Sequence, residues 1–285
     1  MKIIADDIDR LDWKALSPKA FRKRYLEAMK PVVVSGAMDH WGALNKWTPD
    51  FFRQNYGTRI VKVDEREWPL GELIDRIENS TAEKPAPYLR NELLARWPPE
   101  LRADIQPMPP CTQPNWLESR AFPSRRPPTY VELYIGGRGA KFPVLHYDGM
   151  HTHAFLMQLY GEKEYLALAP DQARFVYPKA GEESNRSSID DVEHPDPARF
   201  PLFAEASGIR FKLRPGETLF VPSGWWHTAR ILSTSITVSI NGVNAPNWRA
   251  FVRDYCAYVG SYSRIKAALL LPYLLGLGEV LDVFQ

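Results

Sequence analysis

Two histidines and one carboxylate carry the strongest chemical signal in the chain. His146-Tyr147-Asp148 sets an imidazole and a carboxylate two positions apart. On an extended strand, positions i and i+2 project from one face, so both can grip a single ion while Tyr147 points away. A second imidazole, His227, follows Trp225-Trp226 on a strand introduced by residues 216–222. In a β barrel, strands far apart in sequence lie side by side. Two histidines and a carboxylate on one side of a metal leave its opposite positions open, which suits a non-haem Fe(II) that must take a co-substrate and O₂. A His-x-Asp pair also arises by chance, and a histidine satisfied by ordinary hydrogen bonds is the plain alternative. His151 and His153 form a second i, i+2 pair that, with His146 or His227, would build an all-histidine site instead. His40 and His194 read as structural.

Positioning these residues calls for a set of short strands. From Thr129 onward, Tyr130 to Ile135, Ala154 to Leu159, Glu164 to Ala169 and Arg210 to Leu213 read as strands separated by Gly/Pro turns. Thr218 to Val221, Trp225 to Leu232 and Ile236 to Ile240 complete the series. Close spacing of this kind points to a small all-β barrel or sandwich. Before it, Ser17-Pro18 caps a helix with an apolar stripe at Phe21, Tyr25 and Met29, and Val32 to Val34 forms a buried strand. Thr48-Pro49 caps a second helix that Gly57 stops, residues 59–63 resume as a strand, and Leu70, Leu73, Ile74 and Ile77 mark a third helix. Residues 85–128 are proline-rich with a helical patch at 101–105; Tyr88, Leu89, Trp97 and Trp116 anchor them as ordered wrapping. Past Asn247 the pattern is helical again.

Composition bounds the partners. The 285 residues allow one large domain or two small ones. A net charge of +2 gives no strong field for a nucleic acid or an acidic membrane, although Lys19, Arg22, Lys23 and Arg24 share one helix. Two cysteines exclude a disulfide scaffold or a Cys-rich zinc site and fit a reducing compartment. The start of the chain lacks an export pattern, and the most apolar stretch, 267–277, contains Pro272 and is too short to span a bilayer. A soluble cytoplasmic protein without membrane partners is expected.

The motifs LYIGGRGAKFPVLHYD (133–148), GEKEYLALAPDQARFVYP (161–178), HPDPARFPLF (194–203), RPGETLFVPSGWWHTARIL (214–232) and ITVSIN (236–241) occur in an order that resembles the Jumonji-C, cupin-like Fe(II)/2-oxoglutarate-dependent oxygenases. KPVVVSGAMDHW (30–41) and YLRNELLARWPPEL (88–101) extend the likeness forward, and the asparaginyl hydroxylases of that family are the nearest type. The resemblance implies a mainly β fold: a double-stranded β-helix (cupin or jelly-roll) barrel with flanking N-terminal α/β elements and C-terminal helices. Residues 1–128 would wrap the barrel, 129–246 would form it, and 247–285 would be helical and pair two copies as a homodimer.

It also implies that His146, Asp148 and His227 hold iron and that Lys163 meets the distal carboxylate of 2-oxoglutarate. An unpaired carboxylate inside a barrel is costly, so the diacid needs a buried cation. Outside the motif, Lys163 would read as an exposed strand lysine between two glutamates. Asn241 matches a residue near the metal, with a plain turn residue as its alternative; Tyr134 offers a hydroxyl to the co-substrate or packs in the core. Two extra residues between Asp148 and Gly161, and Pro143 where relatives often offer a hydroxyl, depart from the pattern. The implied activity is hydroxylation of a protein or peptide side chain with release of succinate and CO₂. A transfer-RNA base, a small metabolite or a non-catalytic metal-binding cupin are the alternatives; a lysine demethylase fits less well because the match lies with the hydroxylase-type branch.

Overall fold

The computed structural model describes residues 1–123 and 131–283. The expected boundary at 128/129, the expected strand start at Tyr130 and the last two residues lie outside that range. Thirteen strands are present among the described residues: β1 (Lys2–Ala5), β2 (Asp9–Asp12), β3 (Val32–Ser35), β4 (Ile60–Val63), β5 (Arg66–Pro69), β6 (Leu89–Leu93), β7 (Glu132–Gly136), β8 (His153–Tyr160), β9 (Lys163–Leu168), β10 (Ser207–Leu213), β11 (Glu217–Val221), β12 (Trp226–Ile231) and β13 (Ser235–Gly242). They form a seven-stranded sheet ordered β2-β3-β11-β8-β13-β7-β6, a four-stranded sheet ordered β1-β10-β9-β12, and the β4–β5 hairpin. The two large sheets share a core. Val33, Leu219 and Val221 of the larger sheet pack with Tyr165, Phe211 and Leu213 of the smaller, and all six are buried. The mainly β cupin architecture is thus present as two facing sheets rather than a closed barrel.

Each expected strand of the later chain is found, within one to three residues. The N-terminal strands β1 and β2 carry no sequence signal. They are four-residue, charge-bearing edge segments that add in parallel to β10 and β3. Helices flank the sheets: α1 (Pro18–Phe21), α2 (Ala43–Lys46), α3 (Pro49–Tyr56), α4 (Leu70–Glu78), α5 (Pro99–Ala103), α6 (Ala245–Tyr262) and α7 (Arg264–Val283). Ser17 and Thr48 cap α1 and α3 by accepting from the amides of Ala20 and Phe51 at 3.2 and 3.1 Å. The stripe after α1 closes on Leu26 rather than Met29. A π-turn over Arg22–Leu26 adds one residue per turn, and Met29 takes a left-handed conformation at φ 51°. Leu70, Leu73, Ile74 and Ile77 are all fully buried on α4.

The two C-terminal helices pack on each other and on the segment around Trp116 and Phe122. Gly278 permits that approach, because a Cβ there would lie 2.3 Å from the Trp248 ring. Much of α7 faces outward: Ile265, Leu269 and Val283 are exposed. Among the described residues, no helix is long and apolar enough to cross a membrane.

Candidate metal and diacid site

A cavity of about 540 Å³ opens between the sheets. Its walls are built by strand alternation, since every second side chain faces one side. Glu132 and Tyr134 of β7, Lys163 and Tyr165 of β9, His227 and Ala229 of β12, Ala154 and Leu156 of β8, and Ser239 and Asn241 of β13 all line it. His146 and Asp148 enter from the extended segment before β8, and Phe251, Tyr255 and Tyr258 of α6 close one side.

The three expected ligands converge. His146 and His227 exchange backbone hydrogen bonds, His146 N–H to the His227 carbonyl at 3.1 Å and the reverse at 2.6 Å. Each ring turns its Nδ1 to a carbonyl two residues back, Val144 or Trp225, at 3.0 Å. That contact fixes ring orientation and leaves both Nε2 atoms for the cavity. Asp148 precedes a short turn (Gly149–His151), yet its carboxylate makes no capping bond. One of its oxygens lies 3.6 Å from His227 Nε2. That is too long for a hydrogen bond but natural for two atoms each about 2.1 Å from one ion. The ligand atoms of the triad all fall within 4.8 Å of one another. Burial, reinforced by the neighbouring His227, pushes the His146 imidazole down to about 4, so at neutral pH it is in the uncharged form that ligates.

The rival histidines go elsewhere. His153 is fully buried; its Nδ1 accepts from the Ser223 amide at 2.9 Å and its Nε2 meets Asn244 at 3.1 Å. His151 turns to Asp254 of α6 at 2.5 Å. Among the described residues, neither joins a metal-competent group. The turn that carries His151 is unusual, with Met150 and His151 both left-handed at φ 54° and 49°. Asn247 of α6 holds it by donating to the His151 carbonyl at 2.9 Å.

Lys163 opens β9, opposite Ile231 of β12, while His227 pairs with Ala167. Four residues of strand, about 13 Å, therefore separate the two backbones. A lysine side chain, a short diacid, a metal and an imidazole can together fill that span. Lys163 is 2% exposed, and the glutamate beside it shows why: Glu164 faces the other way, to Arg210 and Arg230. The ammonium meets the Tyr88 hydroxyl at 2.9 Å and lies 5.4 and 5.5 Å from the Tyr88 and Tyr134 rings. Among the described residues it has no carboxylate in ion-pair range. Burial alone holds its pKa down at about 7.

Such an unpaired buried cation fits a site for an anion, and two imidazoles with a carboxylate fit a divalent metal. Tyr134 donates its hydroxyl to Glu132 at 2.7 Å and accepts from Asn91 at 2.8 Å. Asn241 lines the cavity and donates to Thr152 Oγ1 at 2.8 Å. Sequence reasoning noted Tyr88 only as an anchor and missed Asn91 and Glu132.

A family model described as a cupin-like domain matches residues 18–242. The chain is 31% identical over 77% of its length to lysine-specific demethylase 8 of Xenopus tropicalis, of which it covers 49%. It is 27% identical over 88% of its length to the arginine-specific demethylase JMJ20 of Arabidopsis thaliana, covering 61% of that protein. A third relative is the bifunctional arginine demethylase and lysyl-hydroxylase psr-1 of Caenorhabditis elegans, at 26% identity over 85% of this chain and 62% of that protein. The chain therefore spans about half to three fifths of the length of these relatives. They carry demethylase and lysyl-hydroxylase names, so the specific likeness to asparaginyl hydroxylases is not what they bear. The chain belongs to the cupin-like Jumonji-C family, whose members use Fe(II), 2-oxoglutarate and O₂.

Proposed function

We propose that the protein is a 2-oxoglutarate-dependent oxygenase that hydroxylates a side chain of a protein or peptide. One observation carries the reading: a three-ligand metal cluster and a buried, unpaired lysine share one cavity. When bound, Fe(II) supplies the coupled oxidation in which O₂ and 2-oxoglutarate yield succinate and CO₂ while one oxygen atom enters a substrate C–H bond. His146, Asp148 and His227 would hold the ion. Lys163, steadied by Tyr88, binds the far carboxylate of the diacid and so sets its orientation. The aromatic residues of α6 and Phe142 keep water from the reacting region.

Hydroxylation also underlies demethylation, because a hydroxylated N-methyl group departs as formaldehyde; the two outcomes differ in which C–H is presented. Names of the relatives support a protein substrate. The test is succinate release from 2-oxoglutarate with Fe(II) and O₂ by the purified chain. Release that persists undiminished in a folded His146→Ala variant would overturn the reading, and a metal-loaded protein with no turnover would make it a non-catalytic cupin. The exposed apolar side of α7 supports pairing of two copies through the C-terminal helices. Light scattering on a chain truncated before Ser261 should show monomers; an unchanged dimer rejects that interface.

A further inference from the structure

We infer that Tyr165 is a specificity-determining residue that fixes the length of the diacid this site accepts. Its hydroxyl donates to the far carboxylate beside Lys163 and selects a five-carbon 2-oxo diacid over a shorter or longer one. The inference rests on the oxygenase reading and begins with register. Tyr165 stands two residues after Lys163 on β9, so both project from one face. It pairs with Ala229 of β12, between the Lys163–Ile231 pair and the Ala167–His227 pair. The ring therefore lies midway along the span from the lysine to the metal ligand, about 7 Å of strand from each. The residue opposite it is a small one, and both line the cavity.

The ring is fixed, whereas its hydroxyl is unused. Tyr165 is 3% exposed and stacks on Phe211 at 5.9 Å and 12°. A phenylalanine would serve that packing equally. Yet the residue opens on the cavity with a hydroxyl that makes no hydrogen bond among the described residues. Burial, with Tyr88 close by, pushes its pKa well above the ordinary tyrosine value, so the group is a neutral O–H donor. Beside it, the Lys163 ammonium donates to the Tyr88 hydroxyl at 2.9 Å and has protons left to give. A carboxylate offers about four acceptor sites on its two oxygens, more than an ammonium on one side fills. A second donor on a fixed ring sets where along the span that carboxylate must stop. Pro143, at the place where relatives often offer a hydroxyl, lines a second cavity of about 190 Å³ and not the metal cavity. Tyr165 supplies from β9 what that segment does not.

The experiment uses the Fe(II)-loaded protein under anaerobic conditions, titrated calorimetrically with oxaloacetate, 2-oxoglutarate and 2-oxoadipate, a series that grows by one methylene at each step. The protein should bind 2-oxoglutarate about tenfold or more tighter than either neighbour, the worth of one charge-assisted hydrogen bond. Tyr165→Phe keeps the ring and its stack on Phe211, so its melting temperature should hold. Its Kd for 2-oxoglutarate should rise about tenfold while the other two move by less than about twofold, which erases the preference. Equal binding of the three diacids by the wild-type protein overturns the inference without any variant being needed. A folded Tyr165→Phe protein with unchanged affinity for 2-oxoglutarate overturns it too. So does one that weakens all three diacids alike, since that leaves Tyr165 a structural role only. Failure of the wild type to take up 2-oxoglutarate removes the oxygenase reading and this inference together, whereas uptake with no preference for length removes this inference alone.

Discussion

The two ends of the cavity are built on different principles. At the metal end, backbone geometry does the positioning: His146 and His227 exchange main-chain hydrogen bonds, and each ring leans on a carbonyl of its own segment. At the lysine end, side chains from separate strands do it. Lys163 rests against Tyr88, with the Tyr134 ring 5.5 Å from its ammonium, and Tyr134 is in turn tied to Asn91 and Glu132. The first arrangement is preformed, with the His146 imidazole uncharged at neutral pH; the second leaves the Lys163 ammonium without a carboxylate in ion-pair range among the described residues. Ligand removal should therefore leave the first end in place and chiefly destabilise the second.

The largest effect should come from the metal end. His146→Ala removes one of three protein ligands and should lower succinate release by about a thousandfold or more with secondary structure intact. Circular dichroism and an oxygen-consumption assay on one preparation check it. Lys163→Met, which keeps the length and removes the charge, should raise the Kd for 2-oxoglutarate about a hundredfold while the melting temperature of the ligand-free protein holds or rises, since an apolar side chain replaces a buried amine. Unchanged affinity would falsify the assignment of Lys163.

The pH dependence follows from the same burial. Lys163 titrates at about 7 in the free protein. Below that pH the ammonium is already present; above it, each bound diacid must bring a proton. The Kd should thus be flat below about pH 7 and rise about tenfold per unit above it. Calorimetry in two buffers of different ionisation heat would reveal the proton uptake, and a flat Kd up to about pH 9 would break the contrast between the two ends. Tyr88→Phe removes one hydroxyl from the ammonium and should cost about fivefold in 2-oxoglutarate affinity, the smallest of these effects.

The contrast also explains what could be read from the sequence. The metal end is legible because its ligands sit in local motifs, His146-Tyr147-Asp148 and the strand through His227, whose strand character the Gly/Pro punctuation announces. The lysine end is legible only through Lys163 and its motif. Glu132 sits in an ordinary strand, and nothing in its neighbours says that it faces a cavity. Asn91 reaches Tyr134 because β6 slips register against β7 between Leu89 and Glu92, with Asn91 left-handed at φ 54°. No glycine marks that bulge in the sequence. The outermost strands β1 and β2 are invisible for a related reason: pairing with distant partners, not their own residues, makes them strands.

The left-handed pair Met150–His151 has a mechanical consequence. Asp148 lies two residues before it, and α6 grips it twice, through Asn247 and Asp254. The helix that forms the outer wall of the reaction chamber is therefore yoked to one arm of the ion's grip. A molecule that meets Phe251 or Tyr255 therefore touches the same helix that holds the turn next to that carboxylate.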